Sequence, residues 1–235
     1  MRHTLNFCVS KMKKYKKKKN ERYLILIVFL FGVSAVAQTE LDLKGTWIID
    51  STFENGGYSE VMYTPEGKIR AGSYSFLTDD PSLQCIPSGL GRIWGSPGSP
   101  IEIQQLESTV LIHYEMFDLR RTVWLNRRGH SVDAAPSVVN LKDQAMPTMG
   151  NSIGWYEDDT LVIETLAYSR GYVTTLGRAI PQSAAMRSIE RLYRDGDRLA
   201  IEVTYIDPIV FQEPLTRAYR FKKSPFAVIL YGCEF

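Results

Sequence analysis

Residues 109 to 125 read Thr-Val-Leu-Ile-His-Tyr-Glu-Met-Phe-Asp-Leu-Arg-Arg-Thr-Val-Trp-Leu. The stretch has the two-residue period of a β-strand, in which successive side chains point to opposite faces. Leu111, His113 and Glu115 share one face, while Ile112, Tyr114 and Met116 share the other. With a turn over Phe117 to Leu119, the chain returns as an antiparallel partner that begins at Arg120 and Arg121. An imidazole then stands beside a carboxylate, one guanidinium comes within reach of Glu115 for a charge-assisted pair, and a functional role places this cluster inside the fold, the alternative being a structural ion pair or a solvent-facing stripe.

The same period recurs in Thr46 to Asp50, Leu161 to Thr165, Leu199 to Tyr205 and Thr216 to Phe221. Turn signals separate these runs at Glu66-Gly67, Arg128-Gly129, Asp158-Asp159 and Asp195-Gly196, so consecutive strands are predicted to form hairpins. Short helices are expected over Ser137 to Met146 and Pro181 to Ser188. Apart from the first of these helices, two long segments, 81–100 and 129–154, take no assignment; loops of that length are often binding rims. The reading is an all-β fold, an antiparallel meander closing into a barrel, with long Gly/Pro loops and one or two short helices. Closure removes the exposed edges that invite aggregation; a sandwich is the alternative.

Ahead of this region lies a basic run at Lys13, Lys14 and Lys16 to Lys19, then an apolar segment from Tyr23 to Ala37 ending in Ala35-Val36-Ala37. That is the order of a secretory signal, with a cleavage site before Gln38 and a start at Met1 or Met12. The apolar segment is shorter than the ~20 residues needed to span a bilayer, so no stable membrane span is expected after cleavage. The domains are therefore residues 1–37 as signal and 38–235 as a single barrel, with a periplasmic or secreted location.

Residues 1–37 carry 9 of the 28 Lys and Arg and 1 of the 26 Asp and Glu, so the remainder has 19 minus 25, or −6. A mildly acidic chain argues against a nucleic-acid partner, whose phosphates attract clustered Lys and Arg. Beyond the signal two cysteines remain, Cys85 and Cys233. An even number in an oxidising compartment predicts a disulfide that closes a loop of nearly 150 residues.

The segment Leu43-Lys44-Gly45-Thr46-Trp47 resembles the first strand of lipocalin-like barrels, where a Gly-x-Trp element lays the indole across one barrel end. A longer series covers about residues 80 to 235: Cys85-Ile86-Pro87, Gly91-Arg92, Pro100 to Ile103, Tyr114-Glu115, Gly150 to Thr165, Glu190-Arg191, Asp207-Pro208 and Tyr231 to Glu234. Together these resemble a group of uncharacterised secreted bacterial proteins. The resemblance implies export, one β-rich domain and paired cysteines, and it implies no activity. Tyr156 and Asp158 depart from its pattern, where a basic residue and a glycine are expected.

Gly150-Asn151-Ser152-Ile153-Gly154 has the spacing of a hydrolase nucleophile elbow, but an alternating strand follows it instead of the helix that motif requires. His113 and His130 form no spaced metal-ligand pair, so neither a metal nor a cofactor is expected. Calcium held by Asp79, Asp80, Asp158 and Asp159 is the one cation alternative. Alternation turns Arg191 inward with Ile189 and Tyr193, and Arg217 inward with Tyr219. If Arg121, Arg191 and Arg217 converge, they favour an anionic ligand. Trp94, in the long Gly-Pro loop, and Tyr114 are candidates to line its pocket.

Three functions stay open from the sequence. One is an exported barrel binding a small, partly apolar, anionic molecule. Another is an acid/base enzyme, a lyase, isomerase or hydrolase, using His113, Glu115 and Asp207. The third is a structural envelope module. The oligomeric state is not legible.

Overall fold

The computed structural model describes residues 41–56, 60–125, 129–131 and 133–233. The signal read over residues 1–37 lies outside them. No helix among the described residues is long and apolar enough to cross a membrane.

The alternating runs form β1 Gly45–Ile49, β2 Ile101–Gln105, β3 Thr109–Tyr114, β4 Leu119–Leu125, β5 Val138–Val139, β6 Asn151–Glu157, β7 Thr160–Leu166, β8 Gly171–Thr174, β9 Ile180–Gln182, β10 Arg187–Asp195, β11 Arg198–Ile206 and β12 Leu215–Lys223. Nine of these close a barrel in the order β1, β12, β11, β10, β7, β6, β4, β3, β2 and back to β1. The all-β barrel expected from alternation is therefore the fold. β8 and β9 pair as a separate two-stranded ribbon.

One seam departs from a pure antiparallel meander. β5 pairs antiparallel with the start of β4, opposite Arg120 and Arg121. β6 then takes the end of the same β4 edge in parallel, with Trp124 beside Ile153 and Leu125 beside Gly154. The chain reverses after β5, where Val139 bridges Ala145, and β6 then runs with β4. The close approach requires a glycine: a Cβ on Gly154 would lie 2.8 Å from a Val123 methyl.

Among the described residues three α-helices decorate the barrel: α1 Pro65–Gly72, α2 Phe76–Asp79 and α3 Leu90–Trp94. Their positions correct the sequence reading. Ser137 to Met146 is not helical, because Val138 and Val139 find β4 and a bridge joins Val139 to Ala145. Pro181 to Ser188 is likewise divided between β9 and β10. Glu66-Gly67, expected as a hairpin turn, lies within α1. There Thr64 Oγ1 accepts from Gly67 N at 3.0 Å and Pro65 occupies the first turn, the usual device for starting a helix.

Inside the ring Trp47, Ile103, Ile112, Leu161, Ile201 and Phe221 are almost completely buried. The carboxyl-terminal segment is held against the β3–β4 turn. The Asp118 carboxylate accepts from the amides of Tyr231 at 3.0 Å and Cys233 at 2.8 Å. Cys233 forms the expected disulfide with Cys85. Constraining so long a loop in the unfolded chain stabilises the fold by roughly 2–4 kcal/mol.

Candidate functional site

The pairing registers stack inward-facing residues of adjacent strands into rows. Ser152, Thr165, Ser188, Tyr205 and Leu215 form one row, and Gly154, Ile163, Glu190, Val203 and Arg217 the next. The barrel interior is thus part hydrocarbon and part polar. Each polar group in it needs a partner, since an unmet buried group costs stability.

Arg121 supplies most of those partners. It projects inward from β4, opposite Ile112, and is fully buried. Its Nη1 donates to Glu190 Oε1 at 3.0 Å and its Nη2 donates to Glu190 Oε2, a bidentate pair. Nη2 also donates to Ser152 Oγ at 2.9 Å and Thr165 Oγ1 at 3.0 Å. Trp94 Nε1 completes the Glu190 shell at 2.6 Å. Burial opposes the Arg121 charge, but the adjacent Glu190 carboxylate outweighs it and raises the guanidinium pKa. A sealed ion pair with every arm occupied can hold the barrel in register; it has no open face for a solute.

The phase of two strands is corrected by this arrangement. In β3 the inward face carries Val110, Ile112 and Tyr114, so His113 stands on the other side, and Glu115 has already left the strand with helical backbone angles. In β10 the inward residues are Ser188, Glu190 and Leu192, and Arg191 points outward to Glu157 Oε2 at 2.9 Å. Ile189 and Tyr193, which suggested the opposite phase, lie half-buried on the outer face. Arg121, Arg191 and Arg217 therefore do not converge on one cavity: the first is sealed inside and the second is outside.

The other predicted residues also have assigned places. His113 Nδ1 lies 3.6 Å from Glu102 on the outer surface. Glu115 Oε2 accepts from the Ile229 amide at 3.0 Å, in the carboxyl-terminal segment. Asp207 accepts from Ser183 N, Ser183 Oγ and Ile209 N, pinning the turn after β11. The three acid/base candidates are thus engaged by three separate sets of partners. Trp94 and Tyr114 belong to the core: their rings meet edge to face at 5.3 Å, and both are shielded from solvent. Ser152, the serine of the Gly-rich motif, is likewise buried on Arg121 within β6, with no helix behind it.

Two predicted residues do border open space. Arg217 and Tyr219 project inward from β12 and line a cleft of about 650 Å³ at one end of the barrel. Its walls come from α3 through Gly91 and Gly95, from β8 and β9 through Val173 and Ile180, and from the segment after β1 through Gly56 and Val61. Arg178 and Leu176, both exposed on the β8–β9 turn, sit at the rim with Glu60. α3 can press against β8 because residue 89 is glycine; a Cβ there would stand 2.1 Å from the Tyr172 carbonyl oxygen. Sequence reasoning missed Arg178 because it lies on a turn, where alternation gives no facing.

Among the described residues no three His, Cys, Asp or Glu side chains gather at a metal-sized site. The acidic loop residues cap local structure instead: Asp79 accepts from Ser75 N, and Asp80 accepts from Ser82 N, Tyr74 and Thr175. Compared with protein-family models, curated proteins and solved structures, the chain shows no match.

Proposed function

We propose that this protein is an exported carrier or receptor of a small, partly apolar, anionic molecule, held in the cleft at the barrel mouth. The observation that carries the reading is the pairing of Arg217 and Arg178 with the aliphatic walls Val61, Val173, Leu176 and Ile180 around one cleft. Its volume falls within the range of about 300–1,000 Å³ usual for small-molecule sites, and barrel mouths are favoured places for them. Arginine suits a carboxylate because its planar fork donates two parallel hydrogen bonds. Export is supported by the disulfide and by the basic-then-apolar order of residues 13–37.

A thermal-shift and native mass-spectrometry screen tests the reading, comparing aliphatic and aryl carboxylates with their uncharged amides. Carboxylates are expected to raise the melting temperature and to survive as a complex, with the amides clearly weaker. Arg178→Ala and Leu176→Asp, both at exposed positions, should each weaken binding at least several-fold without lowering the unliganded melting temperature. Equal binding of acids and amides, or binding indifferent to both substitutions, would remove the cleft from consideration.

A further inference from the structure

A second polar cavity, sharing no lining residue with the mouth cleft, lies where α1 meets the β8–β9 ribbon. It measures about 180 Å³ and is bordered by Arg70, Ser73, Arg170 and Gln182. α1 is anchored there at two points. Its capping Thr64 donates to the Ile209 carbonyl at 2.6 Å, and Gly67 packs so close to the 207–211 turn that a Cβ would come 2.2 Å from the Val210 carbonyl oxygen.

Two buried polar atoms of the cavity's lining residues have no hydrogen-bond partner among the described residues. Arg70 Nε is taken by Glu66 at 2.7 Å, but its buried Nη1 has no acceptor. Gln182 is completely buried, and its Nε2 donates to the carbonyls of Thr148 at 2.9 Å and Ser169 at 3.0 Å. Those two bonds fix which end of the amide is oxygen, because only the NH₂ group can donate to both carbonyls. Gln182 Oε1 is then an acceptor with no donor. Ser73 spends its proton on the Arg70 carbonyl at 3.1 Å, so it too offers the cavity a lone pair. Arg170, exposed at the rim, adds a second guanidinium.

The lining of the cavity thus combines two guanidinium groups with the unmet acceptor of Gln182. A fully deprotonated oxyanion such as sulfate would satisfy the arginines but set oxygen against oxygen at Gln182. An anion that carries its own hydroxyl meets both needs. We infer that this cavity is a binding site for a small hydroxyl-bearing oxyanion, with Arg70 and Arg170 holding the charge and Gln182 Oε1 accepting from the hydroxyl. Inorganic phosphate and a short 2-hydroxy acid share that chemistry. Water alone filling the cavity would show no such preference, since water can donate to Gln182 and accept from Arg70 at once.

Isothermal titration of the purified full chain with four probes at neutral pH decides the matter: phosphate against sulfate, and glycolate against acetate. The hydroxyl-bearing member of at least one pair is expected to bind at least 10-fold more tightly than its counterpart, and the pair that does so identifies the source. Arg170→Gln, at an exposed position, should weaken that binding at least 10-fold with the melting temperature unchanged. Arg70→Gln should weaken it further, and would leave carboxylate binding at the mouth cleft intact. Absence of binding by both phosphate and glycolate, equal binding within each pair, or indifference to Arg170→Gln would each overturn the assignment.

Discussion

Two arginines enter this barrel from opposite sides of the ring, and they have different surroundings. Arg121 on β4 meets a carboxylate, two hydroxyls and a tyrosine, and is fully buried. Arg217 on β12 also points inward and is buried, but it borders the open cleft, with Nη1 donating to the Thr216 carbonyl at 3.1 Å. The same residue type is sealed inside the fold in one place and borders an open cleft in the other. What separates them is closure: Trp94 from α3 covers the first, while glycines from α3 and the segment after β1 leave room beside the second.

The sharpest way to break this contrast is to remove the partner of the sealed arginine. Glu190→Ala should destabilise by about 3–5 kcal/mol in chemical denaturation, because a buried guanidinium is left uncompensated. The double variant Arg121→Met with Glu190→Gln removes both charges and keeps an acceptor for Trp94. It should recover to within about 2 kcal/mol of the parent. A double variant as unstable as Glu190→Ala would mean that the pair does more than neutralise itself.

At the cleft, Arg217→Gln should cost less than Glu190→Ala, about 1–3 kcal/mol for interactions lost from a buried side chain, while sharply reducing carboxylate binding in the screen above. A large stability loss without a binding loss would place Arg217 with the structural arginine.

The pair of Asp50 and Arg198 tests how charge just past the end of β1 differs from charge inside. Asp50 accepts from Thr52 Oγ1, from Arg198 Nε at 3.0 Å and from the Thr52 amide, and these bonds hold its pKa down to about 2 from the ordinary 3.8. A depressed carboxyl favours the folded state fully above its unfolded pKa, and that contribution fades as pH falls through the folded value. The stability gap between the parent and Asp50→Asn should therefore be constant above about pH 5 and narrow between about pH 4 and pH 2. Denaturant melts across that range read it directly.

The smallest effect is expected on the outer face, where Arg191 pairs with Glu157 and both side chains are nearly half exposed. Arg191→Ala should change stability by no more than about 0.5 kcal/mol and leave ligand binding untouched.

These contrasts also mark how far the chain could be read without coordinates. Alternation in 109–125 and 199–205 was enough to find the strands, since a two-residue period is a local property of the backbone. The inward phase of Arg217 and Tyr219 was legible because β12 alternates cleanly between buried and exposed positions. It failed for β3 and β10, where both faces mix apolar and charged residues: Ile189 and Tyr193 lie outside while Glu190 lies inside. The short helix α1 was hidden because Glu-Gly is a turn signal in isolation, and only the Thr64 cap and the contact with Val210 make it helical.

From the residues alone came the β class, the barrel, the pairing of Cys85 with Cys233 and the identity of the arginines worth following, all of which depend on local period or simple count. The tertiary structure alone decided which face of each strand is interior, the parallel seam between β4 and β6, and the gathering of Arg70, Arg170 and Gln182 around one cavity. Facing is set by partners far away in the chain, such as Glu190 for Arg121 across 69 positions, and a two-residue period is the same whichever side is turned inward.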